Sequence, residues 1–93
     1  MSATEAPLEE LRQEIERIDR QLTQLIAERV RMARRIGDAK RTAGLATLDP
    51  EREAAVVRRA AALAREAGLD VETMRGIFWH LIGLSRRAQQ ERP

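Results

Sequence analysis

Residues 8–42 read LEELRQEIERIDRQLTQLIAERVRMARRIGDAKRT, and apolar side chains recur in this stretch at alternating steps of three and four. That spacing places them on one face of a long α-helix, as in the seam by which one helix packs on another. Ten positions follow the repeat: Leu8, Leu11, Ile15, Ile18, Leu22, Leu25, position 29, Met32, Ile36 and Ala39.

The predicted helix is long for a chain of this size. The chain has 93 residues, and a helix from about Leu8 to Thr42 would extend roughly 50 Å at about 1.5 Å per residue. A compact domain of this length is narrower than that, and so short a chain buries only a modest core. We therefore expect the helix to project from its own subunit and to pack on a second copy of the chain.

Position 29 of the seam holds an arginine. A guanidinium cannot lose its proton in a protein and is costly to bury without an anion. A glutamate across a helix–helix interface could supply that anion, and so could a bound ligand. The repeat leaves both alternatives open for Arg29.

Two further helices are predicted from their termini. The Ala43-Gly44 step ends the first helix, since glycine is the usual residue just past a helix. Asp49-Pro50-Glu51 supplies a capping side chain, a proline suited to the first helical position and an acid near the positive end of the dipole. The second helix then runs to about Ala67, where Gly68 stops it, and Asp70 caps the third.

The predicted fold class is all-α, with three helices per chain, a long first helix and an intertwined helical homodimer. Residues 1–7 are expected to form a flexible N-terminal tail, and residues 8–91 a single domain. The apolar positions of the second and third helices are predicted to be Val56, Ala60, Leu63 and Ala67, then Met74, Ile77, Phe78, Leu81 and Ile82.

The composition argues against several classes of function. Cysteine is absent and His80 is the single histidine, so no metal site is expected. No apolar run is long enough to span a membrane, and the first residues lack the features of a signal peptide, so we expect a cytoplasmic protein. The 17 basic and 15 acidic side chains are interspersed and aromatic residues are scarce, which argues against a nucleic-acid partner.

Polar side chains interrupt the apolar face of every predicted helix. Lys40 follows Arg29 by eleven positions and so returns to within about 20° of the same face. Arg12 points elsewhere and could reach the same site only from an antiparallel partner. The remaining polar residues are Arg52 and Glu53 on the second helix, with Asp49 as its cap, and Ser85 and Gln89 on the third.

Each of these residues also has a plain structural interpretation. Lys40 near a helix end could complement the dipole, Asp49 could serve only as a cap, and Ser85 and Gln89 could lie on the surface. Taken together, however, the cations, the amide, the hydroxyl and the acids suit a small molecule with carboxylates and a hydroxyl.

Read in order, these motifs resemble one known family. The segments Leu11-Arg12-Gln13-Glu14-Ile15, Glu28-Arg29 and Ile36-Gly37-Asp38-Ala39-Lys40 are similar to the first helix of the all-helical, type II chorismate mutases. Asp49-Pro50-Glu51-Arg52-Glu53 resembles the start of that family's second helix, and Ser85 with Gln89 resembles its closing pair. The resemblance covers about residues 8–90.

The resemblance implies a role for each candidate. Arg29 and, across the dimer interface, Arg12 of the partner subunit would bind the carboxylates of chorismate. Lys40 and Gln89 would donate to its ether oxygen, so that Lys40, Gln89 and Arg29 would carry catalysis. Asp49 and Glu53 would hold the ring hydroxyl. Arg52 and Ser85 would support the pocket.

The implied reaction is the rearrangement of chorismate to prephenate in aromatic amino-acid biosynthesis, which requires no nucleophile, metal or cofactor. Isochorismate pyruvate lyase and aminodeoxychorismate mutase are alternatives on the same scaffold. A helical interaction or nucleic-acid-binding module is a rival from another class. The sequence leaves open whether an enzyme of the shikimate pathway activates this chain.

Overall fold

The computed structural model describes residues 7–90, and it consists of three helices joined by two short connections. Helix α1 spans Leu8–Thr42, α2 spans Pro50–Ala67 and α3 spans Val71–Gln90. The predicted all-α class, with its long first helix, is confirmed. Residues 1–6 of the predicted tail, and residue 91 at the predicted end of the domain, lie outside the described residues, so those boundaries stay predictions.

The helices end where their capping residues predict. Gly44 and Gly68 have φ angles of 73° and 71°, in the left-handed region that favours glycine. Each is followed by an amide that closes the preceding helix, with Leu45 N donating to Lys40 O at 2.8 Å and Leu69 N to Ala64 O at 2.9 Å. In both hydrogen bonds the spacing of donor and acceptor along the chain is that of the Schellman motif.

The starts of α2 and α3 are capped by aspartates. Asp49 Oδ1 accepts a hydrogen bond from Arg52 N at 3.1 Å, and Asp70 Oδ2 accepts one from Thr73 N at 2.9 Å. Hydrogen bonds from the hydroxyl and backbone of Thr73 lower the pKa of the Asp70 carboxyl. Both predicted caps are confirmed.

Helix α3 is the centre of the chain. It packs against both α1 and α2, whereas α1 and α2 do not pack directly on each other. The core between α2 and α3 is formed by Val56, Val57 and Ile82, with Phe78 packed against it. Against α3, α1 contributes the buried Ala33 and Gly37, whose small size lets the two helices approach closely.

The predicted apolar faces of α2 and α3 are only partly buried in the single chain. Leu63 is 48% exposed and Ile77 is 47% exposed in the single chain, and Ala67 is also exposed. The buried positions of α2 are Val56, Val57, Ala60, Ala61 and Ala64. Because α2 carries alanine on nearly every side, the period of its apolar residues does not decide which side faces α3.

The chain is elongated. Its dimensions are 66 × 27 × 15 Å and its radius of gyration is 17.7 Å, against about 12 Å for a compact domain of this length. Every residue from 8 to 28 is exposed, so the first part of α1 projects from the rest, as its length predicts. Within residues 7–90, no helix has the length and apolarity needed to cross a membrane.

Candidate active site

A cavity of about 430 Å³ lies where α1 and α2 fail to meet. All three helices and the loop between α1 and α2 contribute to its walls. Seven of the eight residues singled out in the sequence line it, namely Arg29, Lys40, Asp49, Arg52, Glu53, Ser85 and Gln89. The structure therefore brings together side chains that are up to 60 positions apart in the sequence, as Arg29 and Gln89 are.

Arg12 does not line this cavity. It lies on the exposed first part of α1, about 25 Å along the helix axis from Arg29 at about 1.5 Å per residue. Its predicted contribution to the site therefore needs a second chain.

Arg29 meets a hydroxyl and a carbonyl in place of an acid. Its Nη1 atom donates to Ser85 Oγ at 2.7 Å and approaches Leu81 O at 3.5 Å, while Ser85 Oγ in turn donates to Leu81 O at 3.1 Å. Within residues 7–90, no carboxylate forms an ion pair with the Arg29 guanidinium. The glutamate partner that the sequence left open is therefore not supplied by the described part of this chain.

The surroundings of Arg29 are electropositive. Burial lowers the pKa of its guanidinium from the usual value, and the charges of Arg59 and Arg52 lower it further. The group nevertheless stays protonated, because arginine does not lose its proton in proteins. A cation held here among other cations favours an anionic ligand.

Lys40 projects from the last turn of α1 towards the loop. Its Nζ atom donates to Thr47 O at 3.2 Å and lies 3.9 Å from Asp49 Oδ2. An ammonium group has three donors, so the contact with Thr47 leaves donors that can face the cavity. Lys40 thus does more than complement the dipole of α1, because a loop carbonyl and a carboxylate orient it.

Gln89 lies against the backbone of α1. Its Nε2 atom donates to Ala33 O at 3.2 Å, which leaves the second amide hydrogen unused. The close approach depends on Gly37, since a Cβ atom at that position would lie 2.9 Å from Gln89 Cγ and 3.2 Å from Gln89 Cβ. Gly37 is therefore part of what positions the amide.

Glu53 is held by Arg86, which was not predicted to belong to the site. Arg86 Nε donates to Glu53 Oε2 at 2.8 Å, and Arg86 Nη2 donates to Glu53 Oε1. The hydrogen bond from Arg86 is the main reason that the pKa of the Glu53 carboxyl lies below its ordinary value. Glu53 is therefore ionised and fixed in orientation at the cavity wall.

Comparison with known proteins identifies the scaffold. A sequence model described as chorismate mutase type II matches residues 11–90. This match spans most of the chain and all of the cavity residues. The chain belongs to the type II chorismate mutase family.

Three relatives illustrate this membership. The chorismate mutase of Methanocaldococcus jannaschii is 33% identical over 84 residues, which are 90% of this chain and 85% of that protein. The T-protein of Haemophilus influenzae is 36% identical over 78 residues, 84% of this chain. The bifunctional chorismate mutase/prephenate dehydratase of Aquifex aeolicus is 42% identical over 59 residues, 63% of this chain.

Two of these relatives are much longer than the region they share with this member of the type II chorismate mutase family. The matched segments span 20% of the T-protein and 16% of the bifunctional enzyme. The similarity to those two proteins is therefore confined to one part of each.

Two charged residues of the cavity, Arg59 and Arg86, were not predicted from the sequence. Arg59 follows Arg52 by seven positions, two helical turns, so the same angular arithmetic that related Lys40 to Arg29 could have found it. Arg86 was not among the predicted site residues. Nothing in its own helix reveals its role, because Glu53 on the neighbouring helix is its partner.

The geometry supports binding and polarisation of a small dianion. Cations converge on one cavity, and two donors, the ammonium of Lys40 and the amide of Gln89, keep hydrogens free beside it. The carboxylates of Asp49 and Glu53 add acceptors for a hydroxyl. The arrangement suits a reaction in which charge develops on a bound molecule.

Proposed function

We propose that this chain catalyses the rearrangement of chorismate to prephenate. Chorismate carries two carboxylates, a ring hydroxyl and an enolpyruvyl ether. In the reaction the ether C–O bond breaks while a C–C bond forms between the pyruvyl arm and the ring. The reaction is therefore an isomerisation that needs no second reactant. The observation that carries the proposal is Arg29, a half-buried guanidinium that has no carboxylate partner in residues 7–90 and faces the same cavity as Lys40 and Gln89.

In this proposal Arg29 binds a carboxylate of the substrate while Ser85 holds the guanidinium in place. Lys40 and Gln89 direct their remaining hydrogens at the ether oxygen, where negative charge grows as the C–O bond breaks. Holding the arm over the ring contributes the remainder of the acceleration by restricting the reactant to a productive geometry. Arg52 strengthens the positive field at the carboxylate end.

The acceptors complete the site. Asp49 and Glu53 are proposed to hold the ring hydroxyl, and their spacing from Lys40 is maintained by the capped start of α2.

Gln89 is an amide and donates at any pH, so activity is expected to stay flat around neutrality. A steep rise towards acid would contradict Gln89 as the donor to the ether oxygen.

The working unit is proposed to be a homodimer in which Arg12 of the partner subunit completes each cavity. Support comes from the apolar seam of α1, where Leu22 is 51% exposed and Leu25 is 61% exposed in the single chain. A strip of this kind along a projecting helix is typical of a surface that a second helix covers.

A mixing experiment tests the role of Arg12. The variants Arg12→Ala and Arg29→Ala are each expected to be nearly inactive. If Arg12 serves the other subunit, hybrid dimers have one intact site of two, and an equimolar mixture after subunit exchange recovers roughly a quarter of wild-type activity. No recovery on mixing, with hybrids detected by native mass spectrometry, would contradict a shared site.

The reaction itself is tested by incubating the purified chain with chorismate and following the loss of its ultraviolet absorbance, with the product identified by chromatography. Prephenate is the expected product. Release of pyruvate from isochorismate, or turnover of aminodeoxychorismate alone, would replace the proposed reaction with one of the alternatives. Adding an enzyme of the shikimate pathway tests activation by a partner, and cell fractionation tests the expected cytoplasmic location.

A further inference from the structure

Arg86 makes a contact at the cavity that the proposed reaction does not use directly. It lies on α3, one residue after Ser85, and reaches across to Glu53 on α2. Two of its nitrogen atoms bond the two oxygen atoms of the carboxylate in a side-on fork. This geometry fixes the plane of the carboxylate as well as its position.

Glu53 is the less exposed partner of this pair. Its side chain is 15% exposed, against 46% for Arg86. Each carboxylate oxygen can accept more than one hydrogen bond, so the fork leaves acceptor capacity that can face the cavity. A carboxylate in this place without a partner would be free to rotate and would be partly desolvated.

The other charges around Glu53 are weaker influences than Arg86. Asp49 at the start of α2 repels the carboxylate, and Lys40 on α1 attracts it. Asp49 and partial burial both raise the pKa of Glu53, whereas Arg86 and Lys40 lower it. The hydrogen bond from Arg86 is therefore the main reason that the pKa of Glu53 lies below its ordinary value.

The pair also changes the charge that a ligand meets. The cavity wall holds five cationic side chains and two carboxylates, and Arg86 neutralises one of the carboxylates. A ring substituent near Glu53 thus meets an acceptor that belongs to a neutral pair within a positive site. A hydroxyl can donate to it without a charge penalty, whereas an ammonium would be opposed by the surrounding cations.

We infer that Arg86 is a positioning residue that aims the Glu53 carboxylate at the ring hydroxyl of the substrate and, by neutralising it, makes the site prefer a hydroxyl to an ammonium substituent. This inference rests on the proposed function for the identity of the substrate. It assigns Arg86 a role in specificity that acts through Glu53.

The test compares Arg86→Met, Arg86→Lys and the control Arg87→Met, with Glu53→Gln as a reference. Arg87 is the adjacent exposed arginine and does not line the cavity. For Arg86→Met, kcat/KM for chorismate is expected to fall by roughly 10- to 100-fold, since small misplacements of a site group have effects of this size. Arg87→Met is expected to stay within about twofold of wild type, as surface substitutions usually do.

The variant Arg86→Lys separates orientation from charge. An ammonium in place of the guanidinium keeps the positive charge but not the fork, so this variant is expected to recover only part of kcat/KM. It should keep the preference for chorismate over 4-amino-4-deoxychorismate. Arg86→Met should reduce that preference by roughly tenfold, because an unpaired carboxylate attracts an ammonium.

A double-mutant cycle shows whether Arg86 acts through Glu53. In the Glu53→Gln background, Arg86→Met is expected to have little further effect on kcat/KM. Additive effects of the two changes, or an Arg86→Met variant that matches Arg87→Met, would overturn the inference and leave the pair as a simple bridge between helices.

Titration of the Glu53 carboxyl tests the role of Arg86 separately from the proposed reaction. If wild-type protein fails to convert chorismate, the proposed reaction is wrong, but the carbon NMR signal of the Glu53 carboxyl can still be followed against pH. Its pKa is expected to rise in Arg86→Met and to stay at the wild-type value in Arg87→Met. An unchanged pKa in Arg86→Met would overturn the inference independently of any turnover.

Discussion

In the first part of α1, residues 8–28, every side chain is exposed, whereas the remainder of the same helix buries Ala33 and Gly37 against α3 and directs Arg29 and Lys40 into the cavity. The same spacing of three and four runs through both parts, and Arg29 takes the place of an apolar side chain at the start of the second part. The difference between them is the partner: α3 covers the second part, and within residues 7–90 nothing covers the first. A regular seam therefore defines a buried face but does not say which chain buries it.

The largest effect is expected from a charge placed in the uncovered seam of α1. Leu22→Glu is expected to dissociate the proposed dimer and to abolish turnover, because an unpaired charge in an apolar interface costs on the order of 5 kcal/mol per subunit. Sedimentation equilibrium and the chorismate assay measure the two effects. The control Gln24→Glu adds the same charge on the far side of the helix. A Leu22→Glu protein that keeps its mass and its activity would show that this seam is not an interface.

The second test removes the donor at the packed end of α1. Lys40→Ala is expected to lower kcat by roughly 10²–10³-fold, about 2.7–4 kcal/mol in the barrier, which is typical of losing one donor to developing charge. Circular dichroism and mass should be unchanged. Arg65→Ala is the control, since Arg65 lies in the last turn of α2 and shares only the interaction with a helix dipole. Equal effects of the two substitutions would show that Lys40 acts only through the dipole of α1.

The third test disturbs the contact between α1 and α3. Gly37→Ala introduces a Cβ atom 2.9 Å from Gln89 Cγ, and overpacking of this kind costs about 1–3 kcal/mol. Part of that cost is offset by the better helix propensity of alanine, about 1 kcal/mol. We expect a modest loss of thermal stability and a larger loss of kcat as Gln89 moves.

Gly76 provides the matched control for that substitution. It is also helical, and a Cβ atom there would meet nothing within 4 Å. Gly76→Ala is therefore expected to raise stability by about 1 kcal/mol and to leave kcat unchanged. If Gly37→Ala were as stable and as active as Gly76→Ala, the close approach of Gln89 to α1 would have no functional importance.

The smallest expected effect concerns pH. Because Arg86 lowers the pKa of Glu53 from its ordinary value of 4.5, the folded state binds this proton less readily than the unfolded chain. The stabilisation is therefore fully present above about pH 4.5 and is lost as the pH falls through the folded-state pKa. Melting temperatures of wild type and Arg86→Met should differ more at pH 7 than at pH 3. A difference that is constant with pH would contradict the ion pair.

Much of this fold could be predicted from particular residues. Gly44 and Gly68 mark helix ends because their backbone angles suit glycine, and Asp49 and Asp70 mark helix starts because a carboxylate there satisfies a free amide. Such signals are local, acting within three or four residues, and can be read without knowing the rest of the chain. The regular period of a single helix likewise allowed Arg29 and Lys40 to be placed on one face.

Prediction failed where one helix faces another. Leu63 and Ile77 belong to the predicted apolar faces of α2 and α3 but are exposed in the single chain. In α2, alanine lies on nearly every side, so the apolar period does not show which side faces α3. Arg86 was overlooked because its partner, Glu53, is 33 residues away. The orientation of neighbouring helices depends on packing, which the period of one helix does not encode.

The three helices, their ends, the length of α1 and the polar residues that interrupt the apolar faces all follow from the sequence, because local sterics, capping and the helical period set them. Only the tertiary structure decided that α1 and α2 stand apart over α3 to leave a cavity, that Arg29 meets Ser85 in place of an acid, and that Arg86 holds Glu53. These contacts join residues more than 30 positions apart. They exist because α3 packs against both other helices at once.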